Sequence, residues 1–223
     1  MIVVHHLNNS RSQRILWLLE ELGLDYEIKR YERDTQTMLA PASLLEVHPL
    51  GKSPVITDDS LTLAESGAII EYLVESYGEG KLAPTSGTAE RLRYKYWLHY
   101  AEGSVMPLLV MKLLFDHFGI GDSSASTQFV APQIKLHFDY IESELSKNTW
   151  FVGEEFTAAD IQMSFPVEAM EAQVGLDASR PKLRSFLDRI HARPAYKRAL
   201  ERGGVYELLN WTKMLSAYPN YNF

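Results

Sequence analysis

The chain has 223 residues, no cysteine and a formal net charge of −7. The acidic balance removes the electrostatic case for nucleic acid. The missing thiols exclude disulfides and a cysteine nucleophile, and no apolar run approaches the ~20 residues of a membrane span. Hydrophobic content of 46% and charged content of 23% are ordinary globular values. A chain this long buries one large core or two small ones. The first residues, MIVVHHLNN, lack the flanks and length of a signal peptide, which leads us to expect a mature cytoplasmic chain. The 7 histidines are scattered without metal-site spacing, so neither a metal nor a resident cofactor is expected.

In chain order, Ile2-Val3-Val4 leads a short strand, with His5 and His6 as one strand residue facing each way. Leu7-Asn8-Asn9-Ser10 is a polar break. Ile15, Leu16, Leu18, Leu19 and Leu22 then recur at helical spacing up to Gly23. Asp25–Tyr31 reads as a second strand. A short strand–helix–strand crossover makes the two strands parallel. A loop follows over Thr35–Val47, with a short helix after Pro41.

His48–Tyr77 is the organising stretch. Val55-Ile56-Thr57 and Leu61-Thr62-Leu63 flank the turn residues Asp58-Asp59-Ser60, which predicts a hairpin. The apolar period then becomes helical at Ala68, Ile69, Leu73 and Tyr77. Glu65-Ser66 falls where strand gives way to helix. Free N–H groups and the positive helix end suit a carboxylate there, and Glu65 suits an ammonium group. Pro54 cannot donate to a sheet ladder, so it fits the start of a strand. The Ser53 backbone is then available to an extended ligand.

Gly51, Lys52, Ser53, Pro54, Glu65 and Ser66 together resemble the glutathione site of the cytosolic glutathione S-transferase family. The HPLGKSP wording is most similar to its fungal and bacterial members near the theta and phi classes. The resemblance implies a thioredoxin-like α/β domain followed by an all-helical domain. It implies that Glu65 and Ser66 hold the γ-glutamyl end of glutathione, that Ser53 pairs with the cysteinyl part across a cis bond to Pro54, and that Lys52 lies near the glycyl end. It also implies a homodimer.

Gly78–Thr88 carries the boundary, so the expected domains are 1–78 and 89–223. Arg91–Phe118 is expected as one long helix kinked at Pro107, and a second runs to about Lys147 across Pro132. Phe156-Thr157-Ala158-Ala159-Asp160-Ile161 is a capping box with staple positions at Phe156 and Ile161. The helix that follows carries Pro166 and stops at Gly175. Pro181 and Pro194 open two further helices, the last closed by Gly203-Gly204. The tail from Val205 holds Tyr206, Leu208, Leu209, Trp211, Leu215, Tyr218, Tyr221 and Phe223, apolar enough to require packing.

Conjugation by glutathione needs its thiol ionised. Lowering a thiol from near 8.5 by two units requires about 2.7 kcal/mol. A helix N-terminus supplies ~0.3–1 kcal/mol and a hydrogen bond to a charged acceptor ~1.5–3, so the two together suffice. Ser10 follows the first strand and precedes the first helix. The family's serine-type members place their catalytic serine in this loop ahead of an arginine, which Ser10 and Arg14 match. Asn9 takes that slot under a shift of one residue, and Ser12 is close to both. Ser10 with Gln13 also has the spacing of a capping box, a structural role that does not exclude the chemical one.

Tyr100, Met106 and Leu109 are candidates to line an apolar electrophile pocket. Glu102 has a solvated-charge reading and an implied one, in which an acidic residue reaches the partner subunit's γ-glutamyl ammonium. The expected function is glutathione conjugation to apolar electrophiles. A glutathione-dependent peroxide or disulfide reductase and a non-catalytic binding protein on the same fold are the alternatives.

Overall fold

The computed structural model describes residues 1–34, 37, 39–121, 124–204, 206 and 208. Its contacts divide the described chain into two units. The first is Met1–Ala83 with the described part of Ile190–Glu207, and the second is Pro84–Arg189 with Leu208.

The first unit is built on a four-stranded sheet of order β2-β1-β3-β4, from β1 (Ile2–Leu7), β2 (Tyr26–Tyr31), β3 (Val55–Asp58) and β4 (Leu61–Ala64). β1 and β2 are parallel with Ile2 opposite Tyr26 and His6 opposite Arg30, as the crossover through α1 (Gln13–Leu22) requires. β3 runs antiparallel to both β1 and β4, and Val55 opposite Ala64 sets the hairpin register. This is the thioredoxin-like layout. Ile15, Leu16, Leu18 and Leu19 of α1 are fully buried, as are Val4 of the sheet and Ile69, Ile70 and Leu73 of α2 (Ser66–Tyr77). A short 3-10 turn at Ala42–Leu44 follows Pro41, and Leu44 packs with Leu7 and Tyr31.

The helix α8 (Pro194–Gly203), which the sequence reading assigns to the helical region, lies in this first unit. Trp17 of α1 meets Tyr196 edge-on at 5.1 Å. Both oxygens of Glu21 accept from Arg193, at 2.5 and 2.8 Å. Gly203 permits the closest approach: a Cβ there would stand 2.8 Å from Leu16 Cδ1.

The second unit is helical. The expected long helix is three pieces: α3 (Ala89–Tyr100), a π-helical segment (Ala101–Val105) and α4 (Met106–His117). Pro107 falls in the first turn of α4, but the backbone is already helical at Tyr100, Ala101, Val105 and Met106, so the proline lies within a continuous helical run, directly after a widened π turn in which the Met106 N–H donates to the Ala101 carbonyl. α5 (Ala125–Lys147) and α6 (Ala158–Val174) continue through Pro132 and Pro166, and α7 (Pro181–Ala192) belongs to this unit as far as Arg189. Trp97, Phe151 and Phe186 form its aromatic centre, with ring centroids 4.6 Å and 5.0 Å apart in turn. The expected capping box opens α6: the Asp160 carboxylate accepts from the Thr157 N–H at 2.8 Å. Its other oxygen accepts from the Phe151 N–H, also at 2.8 Å, so one residue closes both the helix start and the preceding loop. Of the apolar tail, only Tyr206 and Leu208 fall among the described residues.

Candidate active site

Gly51 has φ +56, a left-handed conformation, and a Cβ on it would meet Leu45 Cδ2 at 2.8 Å. Only glycine adopts this backbone freely. Gly51→Ala is expected to lower stability by about 1–2 kcal/mol, chiefly through the left-handed backbone, because the Leu45 side-chain end is exposed and can move. Urea unfolding measures this. Lys52 follows and is exposed, Ser53 is half-buried, and the Ser53–Pro54 peptide is cis. The Ser53 hydroxyl donates to the His5 carbonyl at 2.8 Å, which fastens this loop to β1.

At the start of α2, Glu65 is exposed and adopts φ 69, ψ 118. That conformation is sparsely populated for a residue with a Cβ and is a pointer to function rather than to folding. It turns the chain so that Ser66 begins the helix with its first N–H groups free of intrahelical partners. Ser66 is buried, and its hydroxyl accepts from Arg14 Nη2 at 3.1 Å. Arg14 is itself only 2% exposed. A buried guanidinium beside a helix N-terminus concentrates positive charge where an anionic group gains most. The link also ties the first turn of α1, just after the loop that carries Ser10, to the start of α2, within one unit.

That loop departs from its expected local structure. α1 begins at Gln13 with Ser12 as the N-cap residue, and Ser10 and Gln13 form no capping box. The Ser10 hydroxyl instead accepts from the Ser12 N–H at 3.2 Å and pairs with the Ser12 hydroxyl at 2.7 Å. The Ser12 hydroxyl in turn reaches His6 Nδ1 at 2.8 Å. Ser12 has no exposed surface and its hydroxyl is directed inward, towards β1. Asn9, with φ 48, accepts at its carbonyl from Arg33 Nη2 at 3.4 Å, while Asn8 Oδ1 accepts from the Arg33 N–H at 3.0 Å. Burial, and then the neighbouring Arg11, lower the pKa of Arg33.

His6 and Arg33 carry this network and are not among the residues chosen from sequence. His6 had a faint signal, since it is a polar residue facing inward on a short apolar strand. Arg33 had none. In the helical unit, Tyr100, Met106 and Leu109 are all buried, and the Tyr100 hydroxyl pairs with His137 Nδ1 at 2.5 Å. Glu102 is half-buried in the π-helical segment.

Residues 1–75 match the family model for the glutathione S-transferase N-terminal domain, and residues 105–194 match that for the C-terminal domain. The chain is 37% identical over 214 residues to glutathione S-transferase 3 of Schizosaccharomyces pombe, covering 91% of this chain and 88% of that one. It superposes on a solved glutathione S-transferase from Actinobacillus pleuropneumoniae with a TM-score of 0.86 at 38% identity, over 96% of this chain and 99% of that one. A further relative, the disulfide-bond oxidoreductase YfcG of Escherichia coli, is 28% identical over 90% of this chain and 94% of its own. The chain belongs to the glutathione S-transferase family, a family of enzymes.

Proposed function

We propose that this glutathione transferase binds glutathione on its first unit and uses Ser10 to stabilise the thiolate, which then attacks an apolar electrophile by substitution or addition. The observation that supports this best is the Arg14–Ser66 bond of 3.1 Å, because it gathers positive charge at the start of α2 where the γ-glutamyl carboxylate would lie. Glu65 then takes the ammonium group of the same head. The Ser53 backbone pairs with the cysteinyl part and Lys52 lies towards the glycyl carboxylate. Ser10, next in the loop before α1, supplies the hydroxyl donor that a thiolate needs, with Asn9 as its alternate. Ser12 is the weaker alternate, since its hydroxyl is committed inside the fold. Tyr100, Met106 and Leu109 are the apolar residues proposed for the electrophile, and Glu102 is the residue proposed to serve a partner subunit in a homodimer. A cytoplasmic setting and a role in detoxification complete the reading.

The relative named as a disulfide-bond oxidoreductase favours a second reading, glutathione-dependent disulfide reduction. With no cysteine in the chain, the bound thiolate itself would attack the disulfide, displacing one thiolate and leaving a mixed disulfide for a second glutathione to resolve. Parallel assays with an activated aryl halide and a small disulfide separate the two. Conjugation well above the uncatalysed rate supports the transferase reading. Turnover of the disulfide alone replaces it with the second, and neither activity overturns both.

A further inference from the structure

We infer that the Ser53 hydroxyl sets the position of glutathione's cysteinyl part against Ser10, by taking up the β1 hydrogen bonds that would otherwise claim the Ser53 main chain. The inference rests on the reading that this main chain pairs with the cysteinyl part and that Ser10 faces the sulfur.

The register of the β1–β3 ladder shows what is displaced. Val3 stands opposite Thr57 and His5 opposite Val55, so the same antiparallel register would bring residue 53 opposite Leu7. The ladder instead ends at Val55, the first residue of β3. Successive N–H groups of a strand point to opposite edges. The Asn8 N–H donates to the Tyr31 carbonyl of β2 at 3.1 Å, so the Leu7 N–H faces the β3 edge. There it donates to Ser53 Oγ at 3.4 Å, and the same hydroxyl donates to the His5 carbonyl at 2.8 Å. One side chain thus serves both a donor and an acceptor at the end of β1, where the main chain of a continued strand would lie.

The main chain of residue 53 is left over. Among the described residues neither the Ser53 N–H nor its carbonyl has a hydrogen-bond partner. Main-chain groups of folded proteins are nearly always paired, with protein, water or ligand. Ser53 is half-buried and keeps both groups for a strand laid beside it, the way an extended peptide is recognised. Had residue 53 continued the ladder, Leu7 would occupy them.

Leu7 also ties this edge to the loop before α1. Its side chain packs with Tyr31 and Leu44, and its main chain leads directly into Asn8-Asn9-Ser10. Its carbonyl lies 3.3 Å from Ser12 Oγ, which is 2.7 Å from Ser10 Oγ. Leu7 therefore meets Ser53 through its N–H and the Ser10 loop through its carbonyl. A shift of residue 53 along β1 changes the separation between the ligand's main chain and the Ser10 hydroxyl. A hydrogen bond weakens steeply when its donor is misplaced, so the position of residue 53 bears on thiol ionisation as well as on affinity. The Ser53 hydroxyl faces β1 while the ligand meets the main chain, which makes this side chain a positioning group.

The test compares Ser53→Ala, Ser53→Val and Ser53→Thr in the full chain. Valine and threonine have the same shape, and only threonine carries the hydroxyl. Calorimetric titration with S-methylglutathione reads the main-chain pairing without an ionising thiol. The ultraviolet band of bound glutathione thiolate against pH reads the placement of the sulfur. Urea unfolding shows whether each variant is folded. The inference expects Ser53→Ala and Ser53→Val to weaken S-methylglutathione binding by about two- to tenfold and to raise the apparent pKa of the bound thiol by about half a unit or more, the effect of one lost hydrogen bond. It expects Ser53→Thr to stay within about twofold of wild type in affinity and to keep the wild-type thiol pKa. Equal losses in Ser53→Val and Ser53→Thr overturn the inference, because shape and not the hydroxyl then matters. Wild-type affinity and thiol pKa in a folded Ser53→Ala overturn it as well and leave the hydroxyl a structural fastener. So does weakened affinity with an unchanged thiol pKa. In each of those cases a thiolate band abolished by Ser10→Ala still upholds the transferase reading. Absence of the band from wild type defeats that reading first, and this inference with it.

Discussion

Asp160→Ala is expected to destabilise the helical unit by about 3–5 kcal/mol, from two buried N–H groups losing their acceptor at ~1–3 kcal/mol each and from the loss of the cap. Asp160 has no exposed surface, and burial lifts its carboxyl pKa to about 6 against the pull of its donors. Near pH 7 it is an ionised acceptor for both the Thr157 and Phe151 N–H groups at 2.8 Å. The loss is a large share of a typical domain stability of ~5–15 kcal/mol. Thr157→Ala removes a single hydroxyl, which donates to the same carboxylate at 3.2 Å, and is expected to cost about 1 kcal/mol. Urea unfolding of the two variants checks both values, and equal small losses would show that the cap is dispensable.

Arg14→Met is expected to weaken glutathione binding by about ten- to a hundredfold, the equivalent of one charge-assisted hydrogen bond of ~1.5–3 kcal/mol. Methionine fills much of the buried volume, so the variant tests the charge more than the packing. In wild type the guanidinium holds the Ser66 hydroxyl at 3.1 Å and its Nε approaches the Arg11 carbonyl at 3.5 Å. Without it, Ser66 loses this donor and the start of α2 loses a positive neighbour for the ligand carboxylate. Calorimetric titration with glutathione measures the change. Arg14→Lys is expected to fall between the two, since an ammonium keeps the charge without the planar fork. An unchanged dissociation constant in a folded Arg14→Met would remove Arg14 from the account.

Much of the first unit was legible because its signals are local. The turn residues Asp58-Asp59-Ser60, the switch from alternating to helical period at Glu65, and Gly51 with Pro54 each act within a few residues of chain. The α6 cap is local in the same way, since Thr157 and Asp160 satisfy each other. Features that close over a distance were not legible. α8 joins α1 through Arg193 and Glu21, a pairing no short-range pattern announces. The start of α1 at Gln13 rather than beside Ser10 depends on where the Ser10 hydroxyl finds partners, and those include Ser12 and, one bond further, His6 of β1. Pro107 signalled a disturbance in the long helix. A π-helical turn stands directly ahead of it, an adjustment that the residue pattern does not announce.

The central claim is that Ser10 ionises bound glutathione, and the most direct measurement is a glutathione titration at neutral pH followed by the thiolate ultraviolet band in wild type and in Ser10→Ala. A saturable band in wild type that disappears in Ser10→Ala, with binding retained, is the predicted result. A band of the same size in Ser10→Ala would contradict the claim and move the chemistry to Asn9.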